Sequence, residues 1–266
     1  MIETSHRYPG AQKLRVGILG FGTVARAIAE GLLATGAAEI AFVAVRQIPL
    51  TDGKIGLPGS AFRRIDELRS FDDVDLVVET AVPSVFAELA PRILATTDFC
   101  GFSCTAMADP RTERTVLAAA KASGRRLCIP HGAVLGLDGI ADGRPLIEEV
   151  TVTTTKSGKS LGLDPEISGV VFDGSAREAC ARFPRNVNVH AAVAMAGIGF
   201  DRTRSRVVAV PGHLENEHHI EVAGKGFNWD IKAASRSLGG VTGAYTPLSA
   251  MGSVQRILGG SGLVIV

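Results

Sequence analysis

The amino-acid sequence predicts an α/β protein in which a doubly wound parallel sheet is followed by a second α+β domain with a mainly antiparallel sheet. Two observations carry this prediction. Over residues 11–132, short apolar runs alternate with helical patterns, as they do in parallel βαβ units. Beyond residue 133, β-branched and polar residues alternate instead, which is typical of strands with one exposed face.

The first element is a strand that leads directly into a glycine-rich turn and a helix. An apolar run at 14–19 precedes Gly20 and Gly22, and an alanine-rich helical pattern follows them. Gly20 permits a sharp turn, Gly22 lets backbone approach a pyrophosphate, and Ala25 keeps the helix near the sheet. This context favours a Rossmann-type dinucleotide site over a glycine turn with only a structural role. Cofactor contacts are predicted at Gly20, Gly22, Thr23, Val24 and Ala25.

The alternation continues to residue 132 and defines the dinucleotide-binding domain, residues 11–132. Further strands are predicted up to residue 46, at 74–79, at 98–107 and within 125–134, with helices at 82–97 and 109–124. The second domain, 133–240, is predicted to hold the substrate, the catalytic group and the dimer contact. Its predicted strands are 148–157, 205–224 and 225–235, and its helices 175–183 and 186–199. A last helix within 241–266 is expected to pack back on the first domain.

Composition limits the classes of function. The chain has 266 residues, 46% of them hydrophobic, and a formal net charge of +1, so it shows no electrostatic bias toward nucleic acid or an anionic membrane. The first ten residues lack the apolar core of a signal peptide, and no apolar run is long enough to span a bilayer. The four cysteines form no C-x-x-C pair, which suggests neither a disulfide framework nor a zinc site. We expect a cytoplasmic enzyme that acts on a small molecule.

The end of the second predicted strand bears on cofactor choice. NAD-specific sites of this fold place a carboxylate there, but this chain has Val45 and Arg46. Arginine can pair with a 2′-phosphate that an acid would repel, so the sequence favours NADP over NAD, or use of both. The alternative is that Arg46 is a solvated strand-end residue.

Ligands of open α/β sheets bind beyond the carboxyl ends of the strands. The loops at those ends should therefore line a cleft beside the nicotinamide. Their side chains are expected to bind cofactor or substrate, although ordinary strand-end capping explains any one of them equally well. The residues singled out are Thr80, Ala81, Cys104, Thr105, His131 and Ala133.

Removing a proton as hydride leaves suits a histidine, whose unperturbed pKa is about 6.5. His6 lies in the leader, and His190 lies on an apolar helix where a packed role is commoner. His131, His213, His218 and His219 remain, and the last two point to opposite faces of one strand. Periodicity alone leaves this choice open.

Four segments resemble the L-aspartate dehydrogenase family: GFGTVARAIAEGL, GAVLGLDGI, VVFDGSAREACARFPRNVNVHAAVAMAG and LENEHHIEV. The resemblance covers most of residues 14–258. It implies NAD(P)-dependent oxidative deamination of L-aspartate to oxaloacetate and ammonia through an imine, and the reverse reaction. It also implies that the active-site histidine of the N-x-H strand is His218.

The resemblance further implies that Asn186 and Asn188 lie at the site, with helix capping as the alternative for each. Lys156 and Arg185 fall in matching segments and are candidates for holding the two carboxylates, or else are surface charges. The chain departs from the family pattern at Val45 and Arg46, where relatives carry an acid. It departs again at 243–246, where an Asn-Pro-x-Thr stretch is expected.

Two rival hypotheses use the same fold. Cys104 at a strand end can be a nucleophile, as in acylating aldehyde dehydrogenases. The altered 243–246 loop fits a different amino-acid or aldehyde substrate, or a non-catalytic NADP-binding sensor. In each case the half-exposed sheet of the second domain predicts a homodimer.

Overall fold

The computed structural model describes residues 13–49, 55–238 and 242–259. Two sheets dominate it, a parallel one in the first half of the chain and a mainly antiparallel one in the second. This confirms the fold class that the sequence predicts. His6, residues 11–12 of the first predicted domain, and residues 241 and 260–266 of the last predicted segment lie outside the described residues.

The first sheet has six strands in the order β3-β2-β1-β4-β5-β6, and every neighbouring pair is parallel. The chain leaves β1 toward β2 on one side and returns to β4 on the other, so the strand order reverses between β1 and β4. Ligands of such sheets bind at this reversal. The strands are β1 (Arg15–Leu19), β2 (Glu39–Val45), β3 (Phe62–Arg64), β4 (Leu76–Glu79), β5 (Asp98–Gly101) and β6 (Leu127–Cys128).

Three helices connect these strands: α1 (Thr23–Thr35), α2 (Pro83–Leu94) and α3 (Pro110–Ser123). The strand predicted at 98–107 is too long, because β5 ends at Gly101 and a 3-10 turn occupies Cys104–Ala108. The cause is tertiary. The carboxylate of buried Glu79 on the neighbouring strand accepts the Ser103 N–H at 3.0 Å and turns the chain out of the sheet.

The second sheet has the order β11-β10-β7-β9-β8, in which β7 and β9 are parallel and the other pairs antiparallel. Strand β8 (Gly169–Ser175), which the sequence analysis did not predict, forms one edge. The other strands are β7 (Ile147–Lys156), β9 (Arg204–Ala209), β10 (Glu215–Gly224) and β11 (Phe227–Arg236). The helices are α4 (Leu137–Gly143), α5 (Gly158–Leu161), α6 (Ala176–Arg182), α7 (Asn188–Ala196) and α8 (Tyr245–Leu258).

The central strand β7 alternates strictly, because Val150, Val152, Thr154 and Lys156 are buried while the threonines between them are partly exposed. The buried valines join Ile140 of α4 and Val193 of α7 in one hydrophobic cluster. The polar residues Thr154 and Lys156 lie on the same buried face, at the carboxyl end of the strand, which is nearer the first sheet. The apolar part of β7 therefore makes the core, and its carboxyl end makes the site.

Helix α8 packs on the first half of the molecule, although it follows the second sheet in sequence. Ala250 and Val254 lie in the same hydrophobic cluster as Ile28 and Leu32 of α1. A Cβ on Gly31 would come within 2.6 Å of Met251, so the two helices approach closely there. The packing places the loop before α8 at the cleft between the sheets. Within the described residues, no helix is long and apolar enough to cross a membrane.

Candidate active site

A cleft of about 190 Å³ lies where the carboxyl ends of the first sheet meet the buried face of the second. Its walls come from the start of α1, from the segments after β4, β5 and β6, and from β7 and β10. The turn before α7, α7 itself and the residues around the start of α8 complete them. Predicted site residues that line it are Val24, Thr80, Ala81, Cys104, His131, Ala133, Lys156, Arg185, Asn186, Asn188 and His218. Gly20, Gly22, Thr23, Ala25, Arg46 and Thr105 lie outside this lining.

The glycine turn fits a dinucleotide's phosphates. Gly20 has a φ of +99°, and a Cβ there would meet the Thr80 carbonyl oxygen at 3.1 Å, so only glycine suits the position. A Cβ on Gly22 would meet nothing within 4 Å, so the space in front of it is open. Gly22 is also the N-cap of α1, and no side chain caps that helix. The first N–H groups of α1 therefore remain for an anion.

Glu79 organises the two loops on the other side of this turn. Its carboxylate, 0% exposed, accepts hydrogen bonds from the Ala81 N–H at 2.6 Å, the Ser103 N–H at 3.0 Å and the Ser103 hydroxyl at 2.8 Å. Burial raises the pKa of Glu79 to about 7, against the opposing effect of these donors. No role was predicted for Glu79 from the sequence. The signal that could have identified it is a carboxylate at the end of an otherwise apolar strand.

Thr80 and Thr105 use their hydroxyls within the protein. The Thr80 hydroxyl donates to the Leu19 carbonyl at 3.0 Å, which ties β4 to β1. The Thr105 hydroxyl donates to the Pro184 carbonyl at 2.7 Å, and the Thr105 N–H donates to Asn188 Oδ1 at 3.2 Å. The structure therefore places Thr105 in the joint between the two halves rather than on the cleft wall, because its donors face Pro184 and Asn188.

Asn188 is the first residue of α7, and Val187 precedes it as the N-cap without a side-chain cap. The capping interpretation of Asn188 is therefore wrong. Its side chain joins the halves instead. Asn186 lies just before the helix, and its Oδ1 is buried with no hydrogen-bond partner among the described residues. A buried acceptor of this kind is stabilised when a ligand donates to it.

Cys104 is buried, and its thiol donates to the Asn188 carbonyl oxygen at 3.2 Å. Burial raises the pKa of the Cys104 thiol well above its ordinary value. The nucleophilic form is the thiolate, which this environment disfavours. The geometry therefore weighs against the hypothesis of a Cys104 nucleophile.

His131 lines the cleft, but both of its ring nitrogens have protein partners. Nδ1 is 2.7 Å from the Val134 carbonyl oxygen, and Nε2 is 2.9 Å from Arg256 Nη2. Arg256 can only donate, so the neutral ring donates from Nδ1 and accepts at Nε2. Burial lowers the pKa of His131, consistent with the neutral form. The predicted substrate contact by His131 is therefore limited to the surface of its ring.

His218 is the histidine whose side chain combines burial with access to the cleft. It faces inward on β10, is 4% exposed, and lies directly opposite Thr154 of β7. Its Nδ1 is 2.8 Å from the Thr154 hydroxyl. Burial, and then the charge of Lys156, lower the pKa of His218 well below its ordinary value, so the ring is neutral. A neutral imidazole at a ligand cleft can exchange a proton with a substrate.

The remaining candidates on β10 and near it face away. His213 lies 3.0 Å from Glu217, and His219 lies 3.0 Å from Asp230 on the exposed face of the sheet. His219, Glu221 and Asp230 also form a group with metal-ligand atoms within 4.8 Å of one another. It lies on the opposite face of the sheet from His218, so it takes no part in the cleft.

Two cations reach the cleft from the second half of the chain. Lys156 ends β7, is 3% exposed, and has a pKa lowered by burial to about 8. Arg185 lies in the exposed turn before α7. Lys156 is thus protonated at neutral pH and positioned inside, whereas Arg185 lies nearer solvent. A small dianion would be attracted by both.

The segment that departs from the family pattern is part of the cleft wall. Thr242 and Thr246 both line it. Main-chain hydrogen bonds from Ala244 N to Arg236 O at 2.8 Å, and from Leu238 N to Thr242 O at 3.0 Å, fix the turn against the end of β11. The cleft is therefore bounded here by Thr246 within that segment and by Thr242 just before it.

A glycine turn on a parallel sheet, joined to a second sheet by a cleft that holds a histidine and a lysine, defines a class: dehydrogenases that use a nicotinamide cofactor. Comparison with known proteins agrees. Residues 20–130 match the family model described as the NAD-binding domain of homoserine dehydrogenase, and residues 138–257 match the model of the aspartate dehydrogenase C-terminal domain. The cofactor of this class is a nicotinamide dinucleotide, and the turn at Gly22 fits one.

The chain belongs to the L-aspartate dehydrogenase family. It is 39% identical over 220 residues to L-aspartate dehydrogenase 1 of Bordetella pertussis, which covers 80% of this chain and 83% of that protein. It is 38% identical over 179 residues to the L-aspartate dehydrogenase of Methanosarcina mazei, covering 62% of this chain and 65% of that one. The crystal structure of aspartate dehydrogenase from Thermotoga maritima matches with a TM-score of 0.75 at 28% identity, over 93% of this chain and 96% of that chain.

Proposed function

We propose that this protein is an L-aspartate dehydrogenase. It oxidises L-aspartate to oxaloacetate and ammonia through an imine, and catalyses the reverse reductive amination. The observation that carries the proposal is the placement of neutral His218 and buried Lys156 in one cleft below the glycine turn. The named relatives and the Thermotoga maritima structure support the same reaction.

The two carboxylates of aspartate can pair with two cations, one of them buried and the other exposed. Lys156 holds the carboxylate that enters deepest, since an ammonium buried at the end of β7 gains most from an anionic partner. Arg185, nearer solvent, holds the other. The unpartnered Oδ1 of Asn186 then accepts a hydrogen bond from the α-amino group. A monocarboxylic amino acid would leave one cation without its partner, which gives selectivity for a dicarboxylate.

His218 accepts and donates the protons of the reaction. In the oxidative direction the neutral ring accepts a proton from the α-ammonium, because only the free amine can become an imine as hydride leaves. Accepting that hydride from Cα is the chemistry that the nicotinamide supplies when bound. Once the ring has released that proton to solvent, His218 accepts a proton from the water that adds to the imine carbon and returns it to the nitrogen, so that ammonia leaves as the carbonyl forms. Pairing of Lys156 with a substrate carboxylate reduces the positive field that lowers the pKa of His218, so the substrate itself makes the base stronger.

We further propose that NADP is preferred to NAD. Arg46 is exposed just beyond β2, on the side of the glycine turn where the adenosine ribose lies in this fold. Val45 pairs with Arg64 of β3, Arg64 is bound to Asp66, and Arg63 lies over the Phe42 ring. Among the described residues at this edge, we therefore assign the 2′-phosphate to Arg46.

Two further proposals concern the assembly and the location of the protein. A homodimer is proposed on the half-exposed face of the second sheet, where β7, β10 and β11 present polar side chains. A cytoplasmic location is proposed because all four cysteines are free thiols, three of them buried.

The deciding experiment measures oxidation of NADPH and of NADH with oxaloacetate, with and without ammonium. Wild-type protein is compared with His218→Ala and with His219→Ala, which removes the adjacent ring from the opposite face. Ammonium-dependent turnover that falls by about 10²–10⁴-fold in His218→Ala and stays near wild type in His219→Ala is expected. Cofactor binding without turnover would contradict the enzyme proposal and favour a sensor, and turnover with another oxo acid would redirect attention to Thr242 and Thr246.

Arg46→Ala, in the same assay, tests the cofactor. Losing a charged contact to a phosphate costs about 1.5–3 kcal/mol, so the KM for NADPH should rise at least about tenfold while the KM for NADH is unchanged. Equal changes in the KM values for both cofactors would show that Arg46 does not bind the 2′-phosphate.

A further inference from the structure

Behind His218 runs a chain of buried hydrogen-bonding side chains that the reaction as described does not use. The His218 Nδ1 lies 2.8 Å from the Thr154 hydroxyl, which lies 2.6 Å from His190 Nε2. The His190 Nδ1 lies 2.5 Å from the Ser205 hydroxyl. Thr154, His190 and Ser205 are each 0% exposed. Residues of β10, β7, α7 and β9 thus form one line leading away from the cleft.

A hydroxyl between two rings couples their protonation. Thr154 has one proton, so it donates to one ring nitrogen and accepts from the other. Burial keeps both rings neutral, and lowers the pKa of His190 to about 3, so each ring carries one N–H. The rings therefore have two joint arrangements. Either every hydrogen bond points toward His218, or every one points toward Ser205.

The far end of the chain decides between these arrangements. When the bonds point toward His218, Ser205 donates to His190 Nδ1, His190 Nε2–H donates to Thr154, and Thr154 donates to His218 Nδ1. Every hydrogen-bonding group from Ser205 to His218 Nδ1 is then satisfied. In the reverse arrangement the Ser205 hydroxyl proton needs an acceptor, and within the described residues its side chain bonds only to His190. A buried hydroxyl without an acceptor costs about 1–3 kcal/mol.

We propose that Thr154 and His190 are positioning residues that hold His218 in the tautomer with its proton on Nε2. Nδ1 is engaged by Thr154, so Nε2 is the nitrogen available to a ligand in the cleft. The resting ring thereby presents a hydrogen-bond donor. It is set to bind and polarise the carbonyl oxygen of an oxo acid without rearrangement.

Oxidation requires the opposite arrangement, because the α-ammonium needs a lone pair on Nε2. The alternative arrangement supplies it with both rings still neutral, because each ring then carries its proton on Nδ1 and Thr154 donates to His190 Nε2. The cost is the lost acceptor of Ser205. The resting arrangement therefore favours binding of the oxo acid over binding of the α-ammonium form of aspartate. This consequence rests on the proposed function, whereas the tautomer itself does not.

The test reads the tautomer directly, by NMR of protein labelled with ¹⁵N in its histidine rings, without substrate. His218 and His190 are assigned from the signals lost in His218→Gln and His190→Gln. Wild-type protein is expected to show a protonated Nε2 and an unprotonated Nδ1 in both rings. A proton on Nδ1 of His218 would overturn the inference, whatever the activity of the enzyme.

Thr154→Val removes the hydroxyl at nearly constant volume, and Thr154→Ser restores it. The matched control is Thr115→Val, the same change at an exposed position of α3. Thr154→Val is expected to give mixed His218 tautomers and to lower kcat for amination about tenfold to hundredfold, with KM for oxaloacetate changed less than about threefold. Thr154→Ser and Thr115→Val should resemble wild type in both measurements.

The outcomes separate the two proposals. An unchanged His218 spectrum and kcat in Thr154→Val would overturn the positioning role, as would failure of Thr154→Ser to restore them. If Thr154→Val does not fold, the wild-type and Thr154→Ser spectra still decide the tautomer. The expected tautomer without any amination in wild type would refute the proposed function and leave the hydrogen-bond arrangement standing.

Discussion

Glu79 shows how one buried residue can hold a cleft in shape without being a site residue. Its carboxylate receives three hydrogen bonds from Ala81 and Ser103, and so joins the loops after β4 and β5. Those loops lie beside the glycine turn, where Gly20 approaches Thr80. The desolvation of this carboxylate is the energetic cost of the arrangement, and it appears as a raised pKa.

The pH dependence of stability follows from that pKa. It is raised from 4.5 to about 7 in the folded protein, so the folded state binds the proton more tightly than the unfolded state. The associated stability is present below about pH 4.5 and is lost as the pH rises through about 7, by up to about 3 kcal/mol. Glu79→Gln removes this titration, although it also weakens one of the hydrogen bonds.

The measurement is thermal unfolding at about pH 5.5 and pH 8. The difference in Tm between wild type and Glu79→Gln should shift by several degrees between the two values, with wild type relatively weaker at the higher pH. Glu88→Gln on the exposed side of α2 is the control and should show no such shift. A constant difference for Glu79→Gln would mean that its pKa is ordinary in the folded state.

Among single residues, the sequence predicted groups that line the cleft, but not the groups that are hydrogen-bonded behind them. His218 and Lys156 were found because they lie in segments that resemble a family. Thr154 and Ser205 were not, since a buried threonine or serine in a strand pattern looks like any other. Their importance depends on register between β7, β9 and β10. That register joins positions up to 64 residues apart.

The glycine turn and α1 form the element in which local sequence is most informative. Gly20 is required by the fold, because its backbone has a φ of +99° and lies against Thr80. Gly22 has a φ of −82° and open space beyond it, so the protein itself would tolerate a side chain there. We therefore predict separable roles for the two glycines, Gly20 in folding and Gly22 in cofactor binding.

Gly20→Ala and Gly22→Ala are expected to differ accordingly. Gly20→Ala should lower the free energy of unfolding by about 1–2 kcal/mol, because the Cβ of an alanine is sterically unfavourable in a left-handed backbone conformation. Gly22→Ala should change Tm little but weaken cofactor binding at least about tenfold, since its methyl group fills the space a pyrophosphate needs. Calorimetric titration with NADPH and thermal unfolding measure the two effects. Equal cofactor affinity in Gly22→Ala and wild type would show that the phosphates bind elsewhere.

Element types were predicted well where periodicity was strong and poorly where contacts intervened. The alternation along β7 and the helical pattern of α1 are both strong local signals. The strand predicted at 98–107 ends early because the Ser103 N–H donates a hydrogen bond to the Glu79 carboxylate and the chain leaves the sheet there. Strand β8 was missed because its residues are mostly exposed or half-buried at the edge of the sheet, which weakens the alternation.

At the level of the whole molecule, the outer face of the second sheet is the surface proposed for dimerisation. Thr151 and Thr153 lie at its centre, flanked by Glu221 and Lys232 of the neighbouring strands. Small polar residues on a central strand allow close approach of a second copy. Symmetric pairing would bring the same face of both chains together.

Sedimentation velocity at micromolar concentration tests this surface. Wild-type protein is expected to sediment as a dimer of the 27.8 kDa chain, and Thr151→Arg as a monomer, because a two-fold contact would place like charges together. Lys121→Glu on the exposed side of α3 is the control and should remain dimeric. A monomeric wild type would end the dimer proposal, and a dimeric Thr151→Arg would move the interface to another face.

By itself, the sequence determined the fold class and the glycine turn and, through family resemblance, predicted His218 as the histidine of the site. These depend on local periodicity, on backbone constraints and on motifs that remain contiguous along the chain. Only the tertiary structure decided that the polar groups of Thr105 and His131 are hydrogen-bonded within the protein. It also decided that His218 ends a chain of four buried side chains. Hydrogen-bond satisfaction is a property of groups distant in sequence, so it emerges only when the two sheets and α8 are packed together.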